Sequence, residues 1–218
     1  MTGVSFQALI ASGGKLSSLS FVTSANVNAG VSTSDTITAP AGIQAGDLIV
    51  LYDTRNAVIT PAAPSGFSIA VSTSSGITAV ISYKISAGTE SGTTITGMTG
   101  TSVTYNMLLA VFRGNQLIKA VTVGSANQQN TAGAPTNQSC TASGGKPPLI
   151  IVASYHNDST GTAISPRGFS PAADGEITSN THNFLDYKIY NVSPADTTIS
   201  MADFGTNNTL QSCYLACA

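Results

Sequence analysis

At 218 residues the chain is long enough for a substantial hydrophobic core, as one large β domain or two small ones. Charged residues are only 8% of it and the net charge is −2, so it lacks the basic field that phosphate backbones require and the charge to steer ionic substrates; nucleic-acid binding is excluded from the expected functions. The hydrophobic content of 42% is broken into short runs, 48–52, 107–112 and 149–153, far below the roughly 20 residues of a membrane-spanning helix.

Residues 1–20 are rich in Ser and Gly, with one small apolar group, Phe6, Ala8, Leu9 and Ile10. They carry neither a cationic start nor a sustained apolar stretch, so they do not read as a secretory signal, and the protein is expected to be assembled in a cytoplasm. Such a segment is either a loosely packed leader or edge strand, or an arm that orders on a neighbouring molecule. In the second case Phe6, Leu9 and Ile10 are the candidate assembly contacts.

From Phe21 onward the text is strands and turns. Thr36-Ile37-Thr38 leads into two breaker clusters, Pro40-Ala41-Gly42 and Gln44-Ala45-Gly46-Asp47, and then into Leu48-Ile49-Val50-Leu51-Tyr52, an apolar run that predicts a strand buried on both faces. A turn-rich loop over 61–66 delivers Phe67 into a strand over 67–71. Ala79, Ile81, Tyr83 and Ile85 then alternate with Val80, Ser82 and Lys84, and period two points Lys84 away from the Tyr83 face. A turn over 88–92 precedes a short strand over 93–96 and a second buried strand over 105–113. Residues 125–145 are poor in apolar side chains and predict at least one weak strand.

Most of this is written twice. Leu48-Ile49-Val50, Pro64-Ser65-Gly66-Phe67-Ser68, Tyr83-Lys84-Ile85 and Thr93-Thr94-Ile95 return in order as Leu149-Ile150-Ile151, Pro166-Arg167-Gly168-Phe169-Ser170, Tyr187-Lys188-Ile189 and Thr197-Thr198-Ile199. The offset drifts only from 101 to 104, which marks an internal duplication. Helical periodicity is absent and good helix formers are scarce. The expected fold is all-β, a sandwich over 21–218 built from duplicated halves, 21–116 and 117–218, with an N-terminal arm over 1–20.

Candidate chemistry is sparse. Cys140, Cys213 and Cys217 fit no zinc spacing, and on a strand Cys213 and Cys217 stand about 13 Å apart, too far for a disulfide, so all three read as reduced packing residues. His156 and His182 lack a metal-ligand spacing. His156-Asn157-Asp158-Ser159 collects triad-like letters, yet neighbours in sequence cannot face one another as a triad does. Asp174-Gly175-Glu176, with Asp158, Asp196 and Asp203, could offer oxygens to a Ca²⁺ ion but lacks the dense repeat of a calcium loop. Gly144-Gly145-Lys146 is not a P-loop, because the first glycine of that motif falls at Cys140. No catalytic, cofactor or metal residue is assigned, and no enzyme activity is expected. A glycan platform usually relies on exposed rings; there is no Trp, and Phe67, Phe112, Phe169 and Tyr83 fall at core positions, leaving Tyr52, Tyr155 and Tyr190.

The order Pro40-Ala41-Gly42, Gln44-Ala45-Gly46-Asp47, Pro64-x-Gly66-Phe67, Tyr83-Lys84 and Leu108-Leu109-Ala110-Val111-Phe112-Arg113-Gly114, followed by a degenerate second pass, resembles phage and prophage virion structural proteins of β-sandwich type. Family members more often carry Trp at the place of Phe67. The resemblance spans about 40–218 and implies a virion-associated β-sandwich or jelly-roll-like protein, and it brings no catalytic residues to carry over. The expected role is a capsid decoration or cement protein that clamps capsid subunits, acting as a homo-oligomer, in first place a trimer, with other virion proteins as partners. The alternative is a head fibre or tail appendage that binds a host glycan through loops such as 53–65 or 154–167.

Overall fold

The computed structural model describes residues 15–131, 138–140, 146–156, 167–170, 175–180, 183–192, 197–201 and 208–218. These form thirteen strands and, among the described residues, no helix. The first half contains β1 (Leu19–Thr38), β2 (Leu48–Arg55), β3 (Ser68–Ser75), β4 (Ile77–Ile85) and β5 (Thr94–Gly114). The second contains β6 (Val121–Thr131), β7 (Gln138–Cys140), β8 (Leu149–His156), β9 (Arg167–Ser170), β10 (Gly175–Asn180), β11 (Asn183–Tyr190), β12 (Thr197–Met201) and β13 (Asn208–Cys217).

The duplication is visible in the strand order. One sheet runs β1-β5-β2-β4-β3 and the other, read from its opposite edge, β6-β13-β8-β11-β10, with every pair antiparallel. In the first half, the end of β1 pairs with the start of β5, Ile37 opposite Ile95 and Thr38 opposite Thr94. The second half repeats that ladder as the separate sheet β7-β12-β9, with Ile199 opposite Gln138 and Thr198 opposite Ser139. The short strand expected at 93–96 is therefore the first part of β5, continuous with the strand that ends at Gly114.

The two five-stranded sheets pack face to face as a β-sandwich. Leu48, Val50, Ile81, Ala110 and Phe112 of one sheet meet Ile150, Val152, Leu185, Tyr187 and Leu215 of the other in the central core. Each half adds its own outer layer. Ile49, Leu51, Leu109 and Val111 are covered by Ile37, Ala39, Ile43 and Ile95, and Leu149, Ile151 and Phe184 by Cys140, Phe169 and Ile199. The central strands are thus buried on both faces, as their unbroken apolar text predicts. β1 reaches the outer layer because three register shifts between Val27 and Thr36 bend it.

The halves sit in a reciprocal arrangement. β1 lies over β10 and β3 over β6, and since β6 is the counterpart of β1 and β10 that of β3, the two contacts are equivalent by a pseudo-twofold. Phe21 stacks on Tyr187 at 5.1 Å, which meets Phe112 edge-on at 5.0 Å. The connection between halves is tied to both: Ile118 is buried and its amide donates to the Gly46 carbonyl, while the Lys119 and Ala120 amides donate to the Ala218 carbonyl.

Two boundaries differ from the sequence reading. In the ladders Leu48 pairs with Ile85, and Ile150 with Ile189, the residue matching Ile85; Leu48 therefore corresponds to Ile150 and the offset at this landmark is 102, not 101. Because side chains alternate, the one-residue slip decides which residues face the shared core, and it puts Ile150 and Val152 there with Leu48 and Val50. At the N-terminus, Leu16 and Leu19 belong to the central core and β1 begins at Leu19, so the sandwich starts ahead of residue 21.

Candidate functional site

Phe6, Leu9 and Ile10 lie outside the described residues, as do Asp158, Asp174, His182, Asp196 and Asp203. Glu176 is exposed and accepts the Thr178 hydroxyl at 2.8 Å. The three cysteines are free and buried, and burial raises the Cys217 thiol to about 12, which suits packing and not reactivity. Of the tyrosines left open for glycan contact, Tyr52 and Tyr155 are wholly buried and Tyr190 is half-buried. Those two positions lie on central strands whose faces are both covered, which the residue type alone did not reveal.

His156 points into the sandwich. At one end of the central core its Nδ1 donates to Asn183 Oδ1 at 2.7 Å, and the Thr54 hydroxyl donates to the same oxygen at 3.3 Å. Gln211 Nε2 donates across the sheets to the Ala79 carbonyl at 3.2 Å. This polar end fixes how the two sheets sit on each other. It holds His156 as a structural group; the triad-like letters that follow it, Asn157, Asp158 and Ser159, lie outside the described residues.

A second cluster escaped the sequence reading. β2 continues past its apolar run as Asp53-Thr54-Arg55, and alternation puts Asp53 and Arg55 on the outer face with Leu51. There Arg55 pairs with Asp35 of β1, and its other nitrogen donates to the carbonyls of Ser32 (2.9 Å) and Thr101 (2.5 Å). Asp53 Oδ2 accepts the Met98 amide at 2.9 Å. Burial raises the Asp35 carboxyl to about 6 against the pull of Arg55, and burial together with the Asp35 charge pushes Asp53 well above its usual range. All three residues are at most 1% exposed, so no solute touches them; the cluster fastens the bent β1–β5 ribbon to β2. Its signal in the sequence was an acid and an arginine two positions apart inside a buried strand.

An accessible cleft of about 420 Å³ lies between the 64–67 and 89–96 segments. Lys84 and Glu90 form its floor, paired at 2.7 Å, with Lys84 Nζ 5.9 Å from the centre of the Phe67 ring. Thr89, Thr93, Thr94 and Thr96 line the walls. Burial alone would raise the Glu90 carboxyl, but Lys84, the Ser86 hydroxyl and the amides of the turn outweigh it and hold it at about 2. The amides of Gly88 and Thr89 donate to Glu90 Oε2 at 3.1 and 3.0 Å. Phe67, expected in the core, is half-buried here, whereas its counterpart Phe169 is fully buried.

The QAGD and FRG stretches of the sequence meet in space. Arg113 Nε and a terminal nitrogen donate to Asp47 Oδ1 and Oδ2, both at 2.7 Å, and the guanidinium also reaches the Gly42 carbonyl. Gly46, at φ 83°, makes the turn that brings Asp47 into place.

What the fold and these clusters define is an all-β sandwich in which three ion pairs, among the described residues, fasten its own strands and turns. No protein-family model, curated protein or solved structure matches the chain.

Proposed function

We propose that the protein is a bacteriophage virion structural protein, a capsid decoration or cement protein that joins its neighbours as a homo-oligomer and carries no catalytic activity. The observation that carries this reading is where the charge goes. Asp35, Asp47, Asp53, Arg55, Glu90, Asp186 and Lys188 are all buried, in a chain with only eighteen Asp, Glu, Lys and Arg residues. Among the described residues only Lys15, Lys119, Lys146 and Glu176 are exposed charges, so Ser, Thr, Asn and Gln supply most of the polar surface, which suits broad contacts made by shape and hydrogen bonds with little electrostatic matching. The motif order in the sequence adds the virion context.

Copy number on purified particles tests the role. Hundreds of copies spread over the shell support cement, whereas a few confined to one vertex or the tail reject it. The arm is tested by deleting residues 1–14, which spares the core residues Leu16 and Leu19; normal incorporation of the shortened protein would remove Phe6, Leu9 and Ile10 from the assembly contacts. The second reading, an appendage that binds a host glycan, is favoured by the threonine-lined cleft at Phe67, Lys84 and Glu90, beside the end of the segment that follows β2, whose Asp53, Thr54 and Arg55 are themselves buried in the strand. Retention on host polysaccharide that is lost on changing Thr94 and Thr96 to Val supports it.

A further inference from the structure

The sandwich leaves two strand edges stacked on one side, β3 of one sheet over β6 of the other. Free edges of soluble proteins are usually blunted by Lys, Pro, inward charges, covering segments or extreme shortness, because an unprotected row of N–H and C=O groups templates pairing with another chain. β3 and β6 have eight and eleven residues and contain no Asp, Glu, Lys, Arg or Pro. Among the described residues, no further strand pairs with either one. Ser68, Ser74 and Ser75 are exposed on β3, and Ile69 is 42% exposed beside them. Each strand has one irregularity, near Ile69 and between Gly124 and Asn127, which leaves straight runs over 71–75 and 127–131. The opposite side is better guarded, by the bulges of β1 and by Glu176 on β10.

We propose that this β3/β6 side is a self-association surface, on which a second copy of the chain docks edge to edge and continues both sheets. Two stacked edges about 10 Å apart demand a partner that presents two edges at the same spacing, which another β-sandwich does and a single added strand does not. A second copy does so by construction. A twofold axis normal to the sheets sets β3 antiparallel to its own copy and β6 antiparallel to its own copy in one operation. The uncharged edges meet without like-charge repulsion. The association is therefore twofold, in place of the trimer expected from sequence, and it deepens the homo-oligomer part of the reading above without depending on where in a particle the protein sits.

The test uses the full chain in solution. Sedimentation of the wild-type protein is expected to show a concentration-dependent dimer. The double variant Ser74→Lys/Gln128→Lys places a charge at an exposed position on each edge and is expected to sediment as a monomer with an unchanged circular dichroism spectrum and Tm. Single cysteines at Ser72, Ser74 and Ser75 should give a disulfide-linked dimer at the position nearest the axis and much less at the others, a pattern that non-specific aggregation does not produce. A monomeric wild type, a dimer untouched by the two lysines, or cysteine cross-linking of equal yield at every position would each overturn the proposal. A dimer lost in the lysine variant, with protein that is nonetheless absent from particles, would uphold the edge and reject the virion role. High copy number of a variant-insensitive oligomer would do the reverse.

Discussion

Asp35 and Asp53 share one buried guanidinium, and their protons set how the sandwich responds to pH. The Asp35 carboxyl is raised from 3.8 to about 6, so its contribution to stability is fully present below pH 3.8 and is lost as the pH rises through 6. Asp53, also raised by burial and the Asp35 charge, acts in the same direction. Glu90 is lowered from 4.5 to about 2, so its contribution is present above pH 4.5 and lost as the pH falls to 2. The contributions of these groups are together greatest near pH 4 to 5, and the Asp35 part is lost toward pH 7. Asp53→Asn keeps an acceptor for the Met98 amide and cannot ionise; it should raise Tm at pH 8 and flatten the decline. A Tm that stays level or climbs between pH 4 and 8 contradicts this.

Glycine is used at the same scale to seat tyrosine rings. Gly30 is paired across the ladder with Tyr105, Gly124 with Tyr214 and Gly175 with Tyr187, and in each case an added Cβ would collide with the tyrosine ring. The ring covers the bare backbone opposite it, which offsets the weakness of glycine in a strand. Gly124→Ala should cost about 1–3 kcal/mol in chemical denaturation, by forcing the ring aside. Combined with Tyr214→Ala the loss should be clearly less than additive, because the second change removes the obstacle. Additive losses would mean that the pair does not interact.

At the scale of elements, the buried strands and the repeat were legible because burial on both faces writes an unbroken apolar run, and because four landmarks recur in order. The register within those runs was not legible. Leu48-Ile49-Val50 and Leu149-Ile150-Ile151 look alike at either offset, and only the ladder partners Ile85 and Ile189 decide that Leu48 matches Ile150. The candidate sites were hidden for a related reason: Asp35 is eighteen positions from Asp53 and Asp47 sixty-six from Arg113, and spacing on one strand says nothing about such meetings. The Asp47–Arg113 pair ties the turn before β2 to the end of β5. Arg113→Lys keeps the charge but loses the two-point geometry, and should cost about 1 kcal/mol in a denaturant titration, with Asp47→Asn adding little on top of it. A full second loss from Asp47→Asn would show that each residue acts alone.

For the whole molecule, the pseudo-twofold makes the two halves depend on each other. A fragment of residues 15–116 would expose Leu48, Val50, Ile81, Ala110 and Phe112 together, an apolar face with no cover. It is expected to be aggregated or to bind a hydrophobic dye, while the full chain unfolds in one transition. A soluble fragment with native-like amide protection would refute the dependence.

The ladders also fix the order in which this chain can be finished. In each half the first strand pairs with the last, Leu19 with Gly114 and Val121 with Cys217, across 95 and 96 positions. At about 5–20 residues per second, β1 emerges roughly 5 to 20 s before its partner exists, and β6 waits as long again. During that interval β1, whose one charged residue is Asp35, and β6, which has none, stand without a neighbour. The ribosome, or whatever shields a nascent strand, has to keep two newly made copies from pairing through β1 before each has closed on itself.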